Sequence, residues 1–473
     1  TATDADASEA GTGSASFEID RGNVTDGHLS VLVATSGSAV GADYQEAIGS
    51  VVVIPDGEAS ATFMVTPVDD TLSEGGETLT LSLLADAPYL LGSDARATIT
   101  IQDDDLAGTL VNTDNEVDSD TRAMQYTNDL TLAEVGGITY LFVAGSLDDG
   151  FTTFRANPDG TLDHVADTVD DGNLAIARTE SLATVEVGGT DFLIAAGADD
   201  DGMSVFEIGS DGGLTNTDTV IDSDSTDYAL SLPRFITATT IGDRAFVFFP
   251  SYSEDGVSVF ELASAGTLTY VDTVFDDSSV NMDAPWDIEA ISAHGNTYII
   301  VSGYFDTGVT LWQVADDGTL TLADSLASSV ETPISRPNAM TVAYVDGSAY
   351  AYVADYIGDS VVAIEITADG QLSPVEVVLD ADVSSYAFAG AFGAATAVVG
   401  DTSFVAVSGI EDDGLSLFRV NADGSLANTF NVTDSADLPL LETYTMESAR
   451  IGTSTYLFVN GQDDAGVAAF RVD

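Results

Sequence analysis

From about residue 126 the chain repeats one pattern of four short alternating runs, and the spacing of that repeat limits the fold more than any other feature. A unit holds an alternating run, a glycine-containing turn, a second run such as "TYLFVAG", and an acidic turn ending in a small residue. A third run such as "VSVF", a turn such as "DGTL" and a fourth run complete it. The residues that end the acidic turns are Gly150, Gly202, Gly256, Gly308, Ser360, Gly414 and Gly466, at steps of 52, 54, 52, 52, 54 and 52 residues. Four strands per unit of this length predict a β-propeller, because a lone four-stranded sheet exposes two faces that only neighbouring blades around a ring can cover.

The seventh unit stops after its third run, at Asp473. Its fourth strand stands elsewhere: residues 107–120, "AGTLVNTDNEVDSD", match the fourth-strand segment 211–224, "DGGLTNTDTVIDSD". Residues 108–118 are therefore expected to pair with the run at 466–472 and close the ring, which removes an open sheet edge. The segment 106–473 resembles the seven-bladed lactonase-type propellers through "LFVAG…DDGFTTFRANPDGTL" (residues 141–162) and its six relatives. That resemblance implies the fold; no catalytic motif is carried over with it.

Residues 1–105 lack the repeat and read as a small antiparallel sandwich of short strands. The stretches "DASEAG", "VGADYQEAIGSVVVIPDGEASATFMVTPVDDTLSEGGETLTLSL" and "ATITIQDDD" resemble the Calx-beta domain, an immunoglobulin-like sandwich. The resemblance implies a calcium site built from Glu9, Asp69, Asp70, Glu74, Glu77, Asp103, Asp104 and Asp105, since calcium takes six to eight oxygen ligands. Ser36 stands where the calcium-binding pattern has an Asp, so fewer ions or weaker binding is expected. The family's first strand is absent or cut short before Thr1. Either upstream residues were removed, or an open edge is left for self-association with another chain, up to a head-to-tail filament.

Composition narrows the function. The chain carries 79 acidic residues against 11 basic ones, all Arg, for a net charge of −68. Such a surface repels phosphate backbones and anionic lipid, which argues against nucleic-acid and membrane partners. Salt at marine strength or above screens self-repulsion within roughly 3–8 Å, so a secreted or cell-surface protein of a salt-adapted organism is expected. No apolar run approaches the length of a membrane span, and there is no Cys, initiator Met or signal peptide, which reads as a mature form or fragment. His28, His164 and His294 fall at non-equivalent places, and no GxSxG, P-loop or HExxH is present, so no catalytic residue is assigned.

The repeat register supplies candidate binding residues. Twenty-two residues before each marker stand Asn128, Glu180, Arg234, Trp286, Asn338, Phe392 and Tyr444, at the expected mouth of the central channel. The next positions include Asp129 and Asp287. A structural ring would repeat small or apolar residues, so this diversity fits either a pocket or a variable, solvent-filled funnel. The acidic turns "SLDDG", "GADDDG", "YSEDG" and "IEDDG" are expected on the same face as a collar, with turn chemistry as their simplest role. The leading expectation is a calcium-supported binding or structural protein for adhesion, matrix or surface assembly. The alternative is a lactonase-like hydrolase acting at the propeller channel.

Overall fold

The computed structural model describes residues 1–9, 13–39, 41, 43–46, 48–68, 77–102, 108–119 and 122–473. The described secondary structure is strands with three short 3-10 turns, and no helix is long and apolar enough to cross a membrane. The chain divides into two compact units, Thr1–Ala107 with Asp473, and Gly108–Val472.

The first unit has a three-stranded sheet and a five-stranded sheet. Phe17, Ile19 and Val65 from one, and Val31, Val33, Leu79, Leu81, Ile99 and Ile101 from the other, meet in one core. Period-two alternation along Ala15–Asp20 and Glu77–Leu83 puts these side chains on the facing sides. Ala2–Asp4 pairs antiparallel with Ala15–Asp20, and Asp6–Ser8 pairs parallel with Arg96–Gln102. The amino-terminal residues thus fill the edge positions of both sheets.

The second unit is a propeller of seven four-stranded blades. Blade 1 consists of Thr127–Val135, Ile138–Gly145, Gly150–Ala156 and Leu162–Val169, and each later blade repeats this order from the channel outward. The second strand is buried along nearly its whole length, because neighbouring blades cover both its faces. The sequence meets that demand with continuous apolar runs instead of alternation. Blade 7 is completed by Leu110–Val117, which pairs antiparallel with Gly466–Val472 from Val472↔Leu110 to Gly466↔Val117. The core between blades 7 and 1, with Tyr456, Phe458 and Val467 against Leu130, Leu141 and Phe154, is as continuous as those between other blades.

One contact repeats at every blade junction. The second strands carry an aromatic ring at the same place: Tyr140, Phe192, Phe246, Tyr298, Tyr350, Phe404 and Tyr456. Each ring lies against the glycine of the third-to-fourth-strand turn of the next blade, in the order Gly212, Gly266, Gly318, Gly370, Gly424, Gly108 and Gly160. These glycines have φ between +75° and +95°. At Gly212 a Cβ would fall 2.5 Å from Tyr140 Cε1, and at Gly108 it would fall 2.5 Å from Phe404 Cε1. The turn therefore needs glycine twice, for its left-handed backbone and for the ring that covers it.

Two measurements test this framework. Gly212→Ala is expected to destabilise the propeller by roughly 2–4 kcal/mol, combining left-handed strain with overpacking, as read from urea unfolding. Gly400→Ala, at φ +57° with nothing within 4 Å of its Cβ, should cost only about 1 kcal/mol. Separately, deleting residues 108–118 should expose the Gly466–Val472 edge and give aggregation or an early melt; an unchanged melting curve would refute closure by this strand.

Candidate functional site

The ring residues named from the register sit where the innermost strands begin. Pairing with the second strand is irregular there in six blades, between Thr127 and Leu130, Thr179 and Ser181, Pro285 and Ile288, Pro337 and Ala339, Ala391 and Ala394, and Thr443 and Met446. In blade 3 the regular strand starts only at Thr237. Bulges of this kind re-aim side chains, and here they release Asn128, Glu180, Arg234, Trp286, Asn338, Phe392 and Tyr444 from the sheet pattern at the channel mouth.

Glu180 is the hub of the mouth. Its Oε2 accepts hydrogen bonds from Arg234 Nη1 at 3.0 Å and from Asn128 Nδ2 at 3.0 Å. Asn128 Oδ1 in turn accepts from Gln462 Nε2 at 2.5 Å. Arg178 Nε lies 3.5 Å from Glu180 Oε1 and 3.0 Å from Asp199 Oδ1, charge contacts that are not aligned as hydrogen bonds. Burial pushes the Glu180 carboxyl above its ordinary pKa, against the opposing pull of Arg234 and Arg178. Breaking such a half-dry pair would leave a charge uncompensated.

An aromatic wall continues from this hub. The Arg234 guanidinium lies 4.4 Å over Trp286 and 5.1 Å from Tyr252. Trp286 stacks on Tyr304 at 4.7 Å, and Arg336 covers the far side of the mouth, 4.4 Å from Tyr304 and 5.5 Å from Tyr356. Tyr444 of blade 7 lies 4.0 Å from Phe392 and reaches across the axis to within 6.3 Å of Phe235 in blade 3. These rings floor the mouth. Three buried polar atoms of adjoining blades have no hydrogen-bond partner: Arg234 Nε, Trp286 Nε1 and Asn338 Oδ1. Orphan polar atoms are costly in a finished core.

Asp129 and Asp287 do not join this group. They lie one step deeper and line a channel cavity of about 330 Å³. Asp129 accepts from Ser181 Oγ and the Leu182 N–H, both at 2.8 Å, and Asp287 accepts from the Met340 N–H at 2.5 Å. Each carboxylate therefore ties its inner strand to the next blade. Glu289 and Glu447 face the same cavity, and Glu447 is wetted by it although protein surrounds the channel. Burial, reinforced for the two glutamates and Asp287 by mutual repulsion, raises Asp129 and Asp287 to about 7, Glu447 to about 8, and Glu289 well above the glutamate range.

The acidic turns prove to be clasps between backbone segments. The first acid accepts an N–H from the segment entering its own blade, as Asp200 does from Ala177 and Asp412 from Ala389. The second accepts one from the next blade, as Asp149 does from Arg178, Asp255 from Ala284 and Asp413 from Glu442. Histidines are structural in contact: His164 pairs with Asp167 and His294 meets the Ile366 carbonyl. Of the expected calcium ligands, Asp69, Asp70, Glu74, Asp103, Asp104 and Asp105 lie outside the described residues. Glu9 is buried, and Glu77 begins the strand Glu77–Leu83. Among the described residues no group of three or more acids or histidines is arranged to hold a metal.

Two solved structures are similar to the chain. One is a protein from Lactobacillus plantarum, 19% identical over 66% of this chain and 87% of that one, with a TM-score of 0.46. The other is the periplasmic gluconolactonase of Pseudomonas aeruginosa, 18% identical over 65% of this chain and 86% of that one, with a TM-score of 0.50. The second likeness shows the fold, a lactonase-type β-propeller. No family model and no curated protein matches the chain, and nothing among the comparisons supports the Calx-beta resemblance of residues 1–105.

These findings correct the leading functional expectation. A calcium-supported adhesion, matrix or assembly module called for a channel without convergent chemistry. The mouth instead gathers a buried carboxylate, three arginines and unsatisfied polar atoms, on the fold shared with a gluconolactonase. The alternative, a lactonase-like hydrolase, is the better reading. Register analysis missed Arg178 and Arg336, two residues before the ring, and Tyr252, Tyr304 and Tyr356, four residues before their markers. The signal was present, since three consecutive blades carry Tyr at one position.

The channel carboxylates predict a pH dependence. Their pKa values are raised in the folded state, so unfolded carboxyls ionise first as pH climbs above about 4. Stability is full below that point and is lost as pH rises through about 7 to 8. Melting temperature should fall from pH 5 to pH 9, and Glu447→Gln should raise it more at pH 9 than at pH 5. A flat profile in calorimetry would show that the channel carboxyls are not strained.

Proposed function

We propose that the propeller is a lactone hydrolase working at the channel mouth, with Glu180 as general base. The observation that carries this reading is the buried Glu180–Arg234 pair standing beside partnerless polar atoms on Arg234, Trp286 and Asn338. The fold shared with a gluconolactonase supports it. Lactone opening needs a base to take a proton from water as the water oxygen attacks the acyl carbon, and donors to hold the oxyanion that forms. Glu180 can take the proton, while the Arg234 guanidinium can hold the oxyanion. Collapse of the tetrahedral intermediate breaks the ring C–O bond and leaves a hydroxy acid, with the proton passed from Glu180 to the departing alkoxide.

The aromatic floor helps by limiting water and strengthening these charges. Glu180 must be ionised to act. Its pKa is raised, so kcat/KM should increase with pH through a midpoint above the ordinary glutamate range.

The test is ring opening of glucono-1,5-lactone and a panel of other aldonolactones, followed by pH-stat above the spontaneous rate. Glu180→Gln should lower kcat by about 10²–10⁴-fold at a temperature where circular dichroism shows the fold intact, with some loss of melting temperature from the arginines left unpaired. A wild-type protein that accelerates no lactone would end the proposal.

A further inference from the structure

The three arginines of the mouth are not equivalent. Arg234 and Arg178 are both drawn to Glu180, and Arg178 also to Asp199. Arg336 makes no ion pair and no side-chain hydrogen bond among the described residues, in a chain with 79 acids to 11 cations. It is half-buried, with its guanidinium against Tyr304 and Tyr356. With no carboxylate against it among the described residues, this cation is available to an incoming anion.

Two acids of the repeating turns are absent near it. In five blades the second acid of the turn accepts an N–H from the residue two before the ring of the next blade: Asp149, Asp201, Asp255, Asp359 and Asp413. The equivalent residue in blade 4, whose carboxylate would lie on the Arg336 backbone, is Thr307. In blade 5 the first acid is replaced by Gly358. The Arg336 N–H is served instead from below, by the fully buried Asp355 at 2.6 Å, a contact that leaves the guanidinium unpaired. The rim follows the same division. Phe305 and Ile357 of blades 4 and 5 are 58% and 59% exposed, whereas blades 2, 6 and 7 carry Asp199, Glu411 and Asp463 at the equivalent position.

From this we infer that Arg336, with Tyr304 and Tyr356, is a carboxylate-binding subsite, and that the substrate is a lactone bearing a second, carboxylate-terminated arm. The inference rests on the hydrolase reading for its substrate, though not for the anion site itself. The tyrosine rings hold the guanidinium carbon at 4.4 and 5.5 Å from their centroids, and a guanidinium so placed can offer its N–H groups to a two-oxygen acceptor such as a carboxylate. The ligand is a second carboxylate because Tyr304, Trp286 and Arg234 stand in series between Arg336 and Glu180. The acid released by ring opening forms at Glu180 and does not reach Arg336. Water adds to the acyl carbon of a monoanionic lactone and a dicarboxylate leaves. The acidic far rim repels anions, so the arm can bind only toward blades 4 and 5.

The experiment compares a glucaric acid monolactone with neutral glucono-1,5-lactone, using wild type, Arg336→Gln and Thr307→Asp in the full chain. Glucarate binding by titration calorimetry at fixed salt is the second readout. Arg336→Gln should lower the acidic-to-neutral ratio of kcat/KM at least tenfold, mainly through KM for the acidic lactone. Thr307→Asp, which returns a carboxylate to the vicinity, should act in the same direction, and both variants should weaken glucarate binding. Arginine-dependent glucarate binding without any lactone opening would sink the hydrolase reading and keep the carboxylate site. An unchanged ratio in both variants, or wild-type glucarate affinity in Arg336→Gln, overturns the inference.

Discussion

Every blade leans on its neighbour through one ring and one glycine. An aromatic side chain in the second strand of a blade covers the glycine turn of the next, from Tyr140 on Gly212 around to Tyr456 on Gly160. The fit fixes how far adjacent blades can approach, and so the pitch of the ring. It also explains why closure costs nothing in regularity. Gly108, which leads into the strand contributed from before the first repeat, meets Phe404 as the internal glycines meet their own rings. A fully buried aromatic side chain contributes about 1.5–3 kcal/mol, and seven of them placed at the junctions hold the circle against slippage.

Carboxylates do much of the remaining joining. Besides the paired acids of the turns, Asp114, Asp218, Asp272, Asp324 and Glu376 of the fourth strands accept the N–H of Leu162, Leu268, Leu320, Leu372 and Leu426 in the following blade. Asp129 and Asp287 make the same kind of link at the channel. A charged acceptor strengthens a backbone hydrogen bond, which is one physical use for so acidic a chain. The cost gathers in the channel, where Asp129, Asp287, Glu289 and Glu447 repel one another in a confined space.

The mouth departs from this uniformity in the direction that chemistry requires. Where the frame repeats acids, blades 4 and 5 substitute Thr307 and Gly358. Where other blades carry non-aromatic residues at the turn, blades 3 to 5 carry Tyr252, Tyr304 and Tyr356. Arg234 and Arg336 are half-buried against that wall, with Glu180 at one end. A rigid ring can hold such a one-sided site because each inner strand is anchored by its neighbours and only the bulged residues are free to vary.

The sequence alone determined the number of blades, their register, the outer strand taken from residues 108–118 and the seven ring positions at the mouth. All of these follow from periodicity, which is local and repeats. It did not determine that Asp129 and Asp287 would be strand clasps while Glu180 became the charged hub, because residues one step apart in a bulge point to different partners. Nor did it show that Arg336 would stand unpaired. That depends on Tyr304 and Tyr356, each brought to it by a different blade, and on the buried turn of Asp355 beneath its backbone. In the first unit the structure places Ala2–Asp4 and Asp6–Ser8 as edge strands, which the pattern did not single out. Segments of three residues are too short to show a period, and only pairing to partners distant in the chain identifies them as strands.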